Sequence, residues 1–474
     1  MAANIQHVVV LMLENRSFDC MLGRLYPPGP SFQGLTLNES NVSGMTYGVW
    51  TDDDMTPAIA CVPDPDPGER FIDMNVQLFG TPKRPAEGIV PTMSGFAQNY
   101  GDPKAVSGWR DPGAVMHYFT EKQVPVIHTL AKAFGVCDGW HASAPCQTWA
   151  NRFFTHTGTS LGHVDNTLFM VPFSAPSLFR RLQDNGKSWR VYFHDVPQSI
   201  LLKDVWIYAL SNYRLFSQFL ADAHTGALPN YSFIEPRYFT DLFHRHIPND
   251  EHPPHNVLYG EQLIAQVYNA VRSSPCWKST LLIITYDEHG GCYDHVSPPP
   301  ATAPDGIVKN DYGFTFNAYG VRVPAVVISP YIPPGSRIVA PEADDGTTVP
   351  FDHTSIIKTV REIFGLGDEL TQRDRVAPSL VPALSLSAPN NDGPSSVAAA
   401  LGTPTLSQLT TRGAAAPNSM QAGLAAAVSL LPGSAPKADG DIQESVVPSG
   451  GTQHATVAAA QAAATACVNR FLGR

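Results

Sequence analysis

Two apolar runs in this chain end in acids. His7–Glu14 (HVVVLMLE) leads into Asn15, and Thr280–Glu288 (TLLIITYDE) closes on Asp287 and Glu288. In open α/β sheets, ligands bind outside the carboxyl ends of strands. Three carboxylates and an amide gathered there form an oxygen-rich pocket suited to a divalent cation. Acids that merely cap strands are the plainer reading of one such end; two alike weaken it. Gly290 and Gly291, just after Glu288, let the backbone turn tightly. Between these strands lies Thr148, in SAPCQTWANR, where a loop enters a helix that runs through Phe153 and Phe154. A hydroxyl at a helix N-terminus faces backbone N–H groups and a positive dipole, which suits an anionic phosphoryl group. It is a weak nucleophile until a base or metal activates it, and a plain threonine N-cap remains the alternative. Of the 16 histidines, His194 follows a strand, His252 and His255 flank the rigid HPPH loop, and His353 opens a helix. Together they could neutralise phosphate oxygens or protonate a leaving group. Asp294, His295 and His117 are read as non-catalytic. No P-loop, GxSxG elbow or GxGxxG occurs, which argues against NTPase, α/β-hydrolase and dinucleotide-binding readings.

The elements that must position these groups are strands and helices in alternation. Beside the two acid-ended runs, Val323–Pro330 reads as a third buried strand, with weaker ones at Ser188–Phe193 and Tyr231–Pro236. Helical periodicity covers Met116–Phe134 (broken at Pro125), Ser177–Asn185, Leu202–Ala223, Gly260–Ser273 and Asp352–Phe364, the last with Asp352 as N-cap and Gly365 as stop. This predicts an α/β fold with a largely parallel central sheet flanked by helices on both faces. Residues 1–380 form the expected catalytic unit. Residues 381–474, rich in Ala, Pro and Ser, form an appendage whose end, Thr452–Leu472, is a candidate helix. No internal repeat is present.

The 474 residues are 43% hydrophobic and 15% charged, with a formal net charge of −11. That supports a sizeable core and excludes a mostly disordered chain or a nucleic-acid binder working through a basic face. An acidic protein that handles anions must concentrate positive charge, or a metal, at one site. No apolar run reaches about 18 residues, so no transmembrane helix is expected. The opening residues do not read as a signal peptide, so the chain is cytoplasmic as written or exported by a route not visible in it. Seven cysteines without a CxxC pair read as buried free thiols.

ENRSFD at 14–19, following an apolar strand, resembles the opening signature of the bacterial phosphoesterase family, which contains phosphatidylcholine-type phospholipases C and a respiratory-burst-inhibiting acid phosphatase. DPDPGERFIDMNVQLFG (64–80), TWANR (148–152), EHPP (251–254), YDEHGG (286–291), GVRVPAVVISP (320–330) and DHTS (352–355) are similar to later family blocks, in the same order. The resemblance implies an alkaline-phosphatase-like core and a metal-dependent site. Glu14, Asn15, Asp287 and Glu288 would be metal or phosphate ligands. Thr148 would be the nucleophile, forming a phosphothreonine. His194 and His252 would surround the phosphate, one of them serving as the acid, with His353 and Asn151 as substrate contacts. The chain departs from the family at Ala150, where Pro is frequent, and at Glu69, where several relatives carry His.

The resemblance leaves two activities open: a phospholipase C acting on phosphatidylcholine-like lipids, with transient contact to a membrane surface, and a phosphomonoesterase of acid-phosphatase type. A non-catalytic binding relative is the third reading. Trp109, Trp140 and Trp149 could cage a quaternary ammonium or simply pack. The metal is open among Mg, Ca, Mn, Zn and Fe, as is the oligomeric state.

Overall fold

In a computed structural model, the described residues are 4–106, 108, 110–307, 310–342, 348–399, 404–434 and 454–474. Their centre is an eight-stranded sheet. Its strands are β1 (His7–Leu13), β2 (Gly135–Val136), β3 (Trp189–Phe193), β4 (Tyr213–Leu215), β5 (Tyr231–Glu235), β6 (Thr280–Tyr286), β7 (Ala325–Ile328) and β8 (Ser336–Arg337). The order is β8-β2-β7-β6-β1-β5-β3-β4. From β6 through β4 all neighbours are parallel, as expected of strands covered on both faces. β7 is a strand where expected but runs antiparallel to both β6 and β2.

One register positions the site. β1 pairs with β6 from His7 opposite Thr280 to Leu13 opposite Tyr286. The chains therefore leave the sheet side by side, and the Asp287 amide still donates to the Leu13 carbonyl at 3.2 Å. Both acid pairs emerge at one edge.

The flanking helices are α1 (Phe71–Phe79), α2 (Pro125–Ala133), α3 (Thr148–Thr157), α4 (Phe216–Thr225), α5 (Val257–Ser273), α6 (Thr354–Phe364), α7 (Leu406–Ala414), α8 (Ser419–Val428) and α9 (Val457–Phe471). α2 and α4 pack on α5, while α3 packs on α6. α3 is buried at all ten positions. Its Thr155 hydroxyl contacts the Met12 sulfur of β1, and its His156 ring meets Phe233 of β5 edge-on.

Three expectations change. The helix expected from Met116 is α2 alone, starting at Pro125, where Pro at the first turn lacks only an N–H with no helical partner. Leu202–Ala223 is a 3-10 turn, a short helix, β4 and then α4, because Tyr213–Leu215 pairs with β3. Asp352 belongs to a two-residue strand beside Trp140-His141, and His353 takes the N-cap position of α6. Gly365 does close that helix, at φ 63°.

Past residue 380, Met420, Leu424 and Val428 of α8 are fully buried in the main core, and the Gln421 amide donates to the Tyr238 carbonyl at 2.7 Å. No helix among the described residues is long and apolar enough to cross a membrane.

Candidate active site

Asn15 turns the chain away from β1 with φ 54°, a left-handed conformation that Asn tolerates better than most residues. Its backbone N–H donates to Asp287 Oδ1 (3.1 Å), and its amide nitrogen donates to Glu69 Oε1 (2.6 Å) and Glu288 Oε1 (3.2 Å). Gly290 makes this approach possible. A Cβ there would lie 2.2 Å from the Asn15 carbonyl oxygen, and its φ is 59°. Gly290→Ala is expected to cost about 1–3 kcal/mol of stability from backbone strain and at least about a hundredfold in rate through misplacement of Asn15. Near-native turnover by that variant would show that Asn15 does not need this position.

Thr148 is the first residue of α3, and Gln147 takes the N-cap position. The threonine hydroxyl therefore does not cap. It reaches Glu14 Oε2 at 3.2 Å and Asn15 Oδ1 at 3.4 Å. Arg152, one helical turn on, brings its guanidinium to Glu14 Oε1 (2.6 Å) and to Asp287 Oδ2 (3.6 Å). Gln198 donates to the same Glu14 oxygen at 2.8 Å. Glu14, Asn15, Thr148, Asp287 and Glu288 have no solvent exposure, so their mutual contacts act at low effective dielectric.

His252 joins them from the EHPP loop. Its Nδ1–H donates to the Pro253 carbonyl (2.6 Å), and its Nε2, without a hydrogen-bond partner, lies 3.4 Å from Glu69 Oε1. Asp66 Oδ1 is 3.6 Å from its other ring nitrogen. Burial alone would lower this imidazole's pKa, but Asp66 and Glu69 more than offset that and hold it well above the usual range.

The remaining expected residues have other roles. His353 Nε2 donates to the Asp287 carbonyl (2.6 Å), and its Nδ1 accepts from Trp140 (3.3 Å); burial lowers it to about 4. It steadies the turn that carries the acids, with no ring nitrogen left for substrate. Asn151 spends its amide on the loop before Thr148, donating to the Ala144 and Cys146 carbonyls and accepting from the Ala144 N–H. His194 stacks on Phe216 and bonds to the Glu235 carbonyl; burial lowers it to about 3. Among the described residues it makes no hydrogen bond to the acid cluster. Trp140 and Trp149 are buried and form no open cage, and Trp109 lies outside the described residues.

Residues not singled out in the sequence complete the site: Arg152, Gln198, Asp66 and Asp250. Asp250 accepts the Glu14 N–H through its carbonyl (2.8 Å) and the His255 ring through its carboxylate (2.7 Å). Arg152 carried a usable signal, four residues after Thr148 and so on the same helix face.

The residues present fit a divalent cation. Among the described residues, Arg152 and His252 are the cationic groups paired with the carboxylates Glu14, Asp66, Glu69 and Asp287, while burial lowers the pKa of the imidazoles beside Asp250 (His255) and Glu288 (His289). Asp287 Oδ2, Asp66 Oδ1, Asp250 Oδ2 and His252 Nε2 are buried without hydrogen-bond partners. Ligand atoms of Asp66, Glu69 and His252 lie within 4.8 Å of one another, next to the Glu14–Asn15–Asp287–Glu288 set. The other such group, Asp19, Asp294 and His295, is already neutralised by Arg322, which bonds both aspartates at 2.9 Å.

Burial pushes the Glu14 carboxyl well above 4.5 despite Arg152, and burial with Glu69 and Asp287 does the same to Glu288. The folded state thus holds protons that the unfolded chain releases near its ordinary carboxyl pKa. Stability of chelator-treated protein should fall as pH rises above about 4.5. His252, also raised, has the same sign. Melting temperature in chelator is expected to drop between pH 5 and pH 8, and divalent cation should restore it most at pH 8. A flat profile, or no gain from cations at pH 8, would refute a cation site here.

The chain's relatives place it among the hydrolases of phosphoric esters. The chain belongs to the Phosphoesterase family, whose model matches residues 5–367. It is 39% identical to non-specific phospholipase C1 of Arabidopsis thaliana over 78% of this chain and 69% of that protein. It is 28% identical to phospholipase C A of Mycobacterium tuberculosis over 82% of this chain and 78% of that one. Among solved structures, a protein in the alkaline phosphatase superfamily from Vibrio parahaemolyticus aligns with 80% of this chain at 10% identity, with a TM-score of 0.36.

Proposed function

We propose that this chain is a phospholipase C, cleaving the glycerol-side P–O bond of phosphatidylcholine-like lipids through a phosphothreonine at Thr148. One observation carries the covalent step: the Thr148 hydroxyl sits at a helix N-terminus, between Glu14 and Asn15 and beside the Asp287–Glu288 turn. The relatives that are phospholipases C by name support the lipid substrate.

Glu14, Asn15, Asp287 and Glu288 would hold the divalent cation, whose Lewis acidity lowers the pKa of a nearby hydroxyl and offsets charge on phosphoryl oxygens; its identity stays open among Mg, Ca, Mn, Zn and Fe. Glu14 orients the Thr148 hydroxyl and takes its proton as the oxygen attacks, while Arg152 and Gln198 hold Glu14 in place. The Thr148 oxygen attacks phosphorus, and the diacylglycerol oxygen departs on the opposite side. His252, kept protonated by Asp66 and Glu69, donates the proton to that leaving oxygen. Water, giving a proton to the now neutral His252, then cleaves the phosphothreonine; the Thr148 oxygen regains its proton from Glu14 and the phosphorylated headgroup is released.

Charge favours the diester over the monoester. A phosphate monoester brings close to two negative charges at neutral pH, a phosphodiester one, and a choline diester is neutral overall. With Asp66 and Glu69 beside His252, the less anionic ester enters at lower electrostatic cost. On metal-loaded enzyme, p-nitrophenyl phosphorylcholine should be cleaved faster than p-nitrophenyl phosphate. The reverse order would make the enzyme an acid-phosphatase-type monoesterase. Silence on both across the five metals would favour a non-catalytic relative.

A further inference from the structure

The chain that follows β5 folds into a hairpin. The Arg237 N–H donates to the Asn249 side chain (2.5 Å), and the Asn249 N–H donates to the Arg237 carbonyl (3.0 Å). Further out, Asp241 and His246 exchange both backbone hydrogen bonds (2.8 and 2.9 Å). Leu242, Phe243, His244 and Arg245 are left at the turn, all exposed. β5 lies beside β1 and parallel to it, so the hairpin leaves the sheet at the edge where Glu14 and Asp287 emerge. Its base belongs to the site. Asn249 is followed by Asp250, whose carbonyl accepts the Glu14 N–H (2.8 Å), and then by the loop that carries His252.

Phe243 is 88% exposed and Phe169 is 93% exposed, the highest values for large apolar side chains among the described residues. Phe169 stands at the same edge. Its turn, Leu168–Met170, comes just after Asn166, whose side chain accepts the Trp149 N–H at the start of α3 (2.9 Å). α8 packs against that turn and bonds Tyr238, at the base of the hairpin, through Gln421. One exposed ring is ordinary. Two on ordered turns, on either side of α8 and both next to the site, form a surface.

Its charge differs from that of the whole chain. Hairpin residues 237–249, α7 and α8 carry one acid, Asp241, against Arg237, Arg245 and Arg412, in a chain of net charge −11. Asp241 is spent on His244, whose Nδ1 lies 2.6 Å away. Arg245, at the turn with φ 60°, pairs with no carboxylate among the described residues. α7 backs the hairpin, since a Cβ on Gly413 would meet the Leu242 side chain at 2.8 Å. The loop beyond α7 does carry the exposed Asp64.

We propose that Phe243, with Leu242, and Phe169 enter the headgroup region of a membrane that contains anionic lipid, with Arg245 at the level of the lipid phosphates, so that the carboxyl edge of the sheet faces the bilayer. This deepens the phospholipase C reading and rests on it. Aromatic rings beside unpaired cations are the side chains that hold proteins at a lipid–water boundary, and the negative surface of such a membrane attracts a local basic patch even on an acidic protein.

The test is sedimentation with vesicles of phosphatidylcholine, plain or with about one-fifth phosphatidylglycerol. It uses the full chain with Thr148→Ala, so that lipid is not consumed. This protein should bind the anionic vesicles more tightly, and the difference should fade as salt is raised. Adding Phe243→Ser or Phe169→Ser should weaken binding to both vesicles about tenfold. Arg245→Gln should weaken only the anionic case. Leu210→Ser is the control: Leu210 is 65% exposed, but it lies at the opposite edge, where the nearby Asn212 side chain donates to the Trp189 carbonyl at the start of β3 (2.9 Å). With Thr148 intact and metal loaded, Phe243→Ser should lose rate on vesicle lipid and keep its rate on p-nitrophenyl phosphorylcholine within about twofold. Unchanged sedimentation of the Phe variants, equal binding to both vesicles, or an equal loss with Leu210→Ser would overturn the proposal. Equal loss of rate on both substrates would also overturn it and make the hairpin a support of the His252 loop. A wild type that sediments as expected yet is silent on the chromogenic diester would keep the docking surface and sink the phospholipase C reading.

Discussion

Thr148→Ala should abolish turnover while leaving the fold and the cation site intact. The change removes one hydroxyl and one methyl from a fully buried helix start whose N-cap geometry belongs to Gln147, so α3 has no reason to unwind. Glu14 keeps Arg152 and Gln198, and Asn15 keeps Asp287, Glu69 and Glu288. If Thr148 is the nucleophile, kcat should fall by at least about a thousandfold, since loss of a nucleophile typically removes far more than loss of one positioning contact. Thr148→Ser, which keeps the oxygen, should recover most of the rate. Quenched wild-type reactions should yield a phosphorylated peptide spanning residue 148 that the Ala variant lacks. An Ala variant with near-full rate and bound cation would exclude covalent catalysis by Thr148 and point to direct attack by water.

The second large effect concerns stability. Arg152 is 3% exposed and contacts Glu14, Asp287 and, at 4.0 Å, Glu235. Arg152→Met removes the only guanidinium facing this group of buried acids among the described residues. Removing one partner of a buried ion pair costs about 3–5 kcal/mol, because the other charge is left without compensation. In chelator, the denaturation midpoint should fall accordingly at pH 8, where Glu14 has less tendency to hold its proton, and by less near pH 5. Adding Glu14→Gln to Arg152→Met should return part of that loss, and the double-mutant cycle should show strong coupling. Additive effects, or a loss below about 1 kcal/mol, would mean that Glu14 is protonated and neutral in the metal-free fold. Burial pushes it in that direction, and Arg152 opposes it.

The sheet was legible where residues repeat one chemical type. β1 and β6 are mainly apolar runs, and the acids that end them, Glu14 and Asp287, mark where the chain passes from the sheet into the buried site. Strand direction was not legible: β7 has the composition of a parallel strand but runs antiparallel, since direction depends on the path of the preceding chain rather than on local preference. Leu202–Ala223 looked helical because its apolar spacing fits a helix, yet tertiary pairing of Tyr213–Leu215 with β3 overrode it.

The site divides in the same way. Glu14, Asn15, Thr148, Asp287 and Glu288 were visible as motif residues, and the fold brings them into contact. His353 and Asn151 lie in similar motifs, but both serve the backbone of the site. A motif records that a residue is needed and not which of its neighbours needs it. Gln198 sits in a stretch without periodicity, and Asp66 and Asp250 are each one acid among several in proline-rich loops (DPDPGE and NDEHPP), so only the assembled chain shows which of them faces the site. His194 follows β3 at the same kind of strand end, yet its ring goes to Phe216, a partner brought in by α4.

The position of α8 bears on when the enzyme can first act during its synthesis. Tyr238, whose ring lies 5.7 Å from the Arg152 guanidinium, is held through its carbonyl by Gln421, and a Cβ on Gly423 would stand 3.5 Å from the Trp149 ring. The aromatic rings behind arginine and nucleophile are thus buttressed by a helix made long after the strands that carry the acids. A nascent chain with α8 still inside the ribosomal tunnel has Glu14, Thr148 and Asp287 but lacks that support. The packing behind the site is therefore complete only once α8 has left the tunnel.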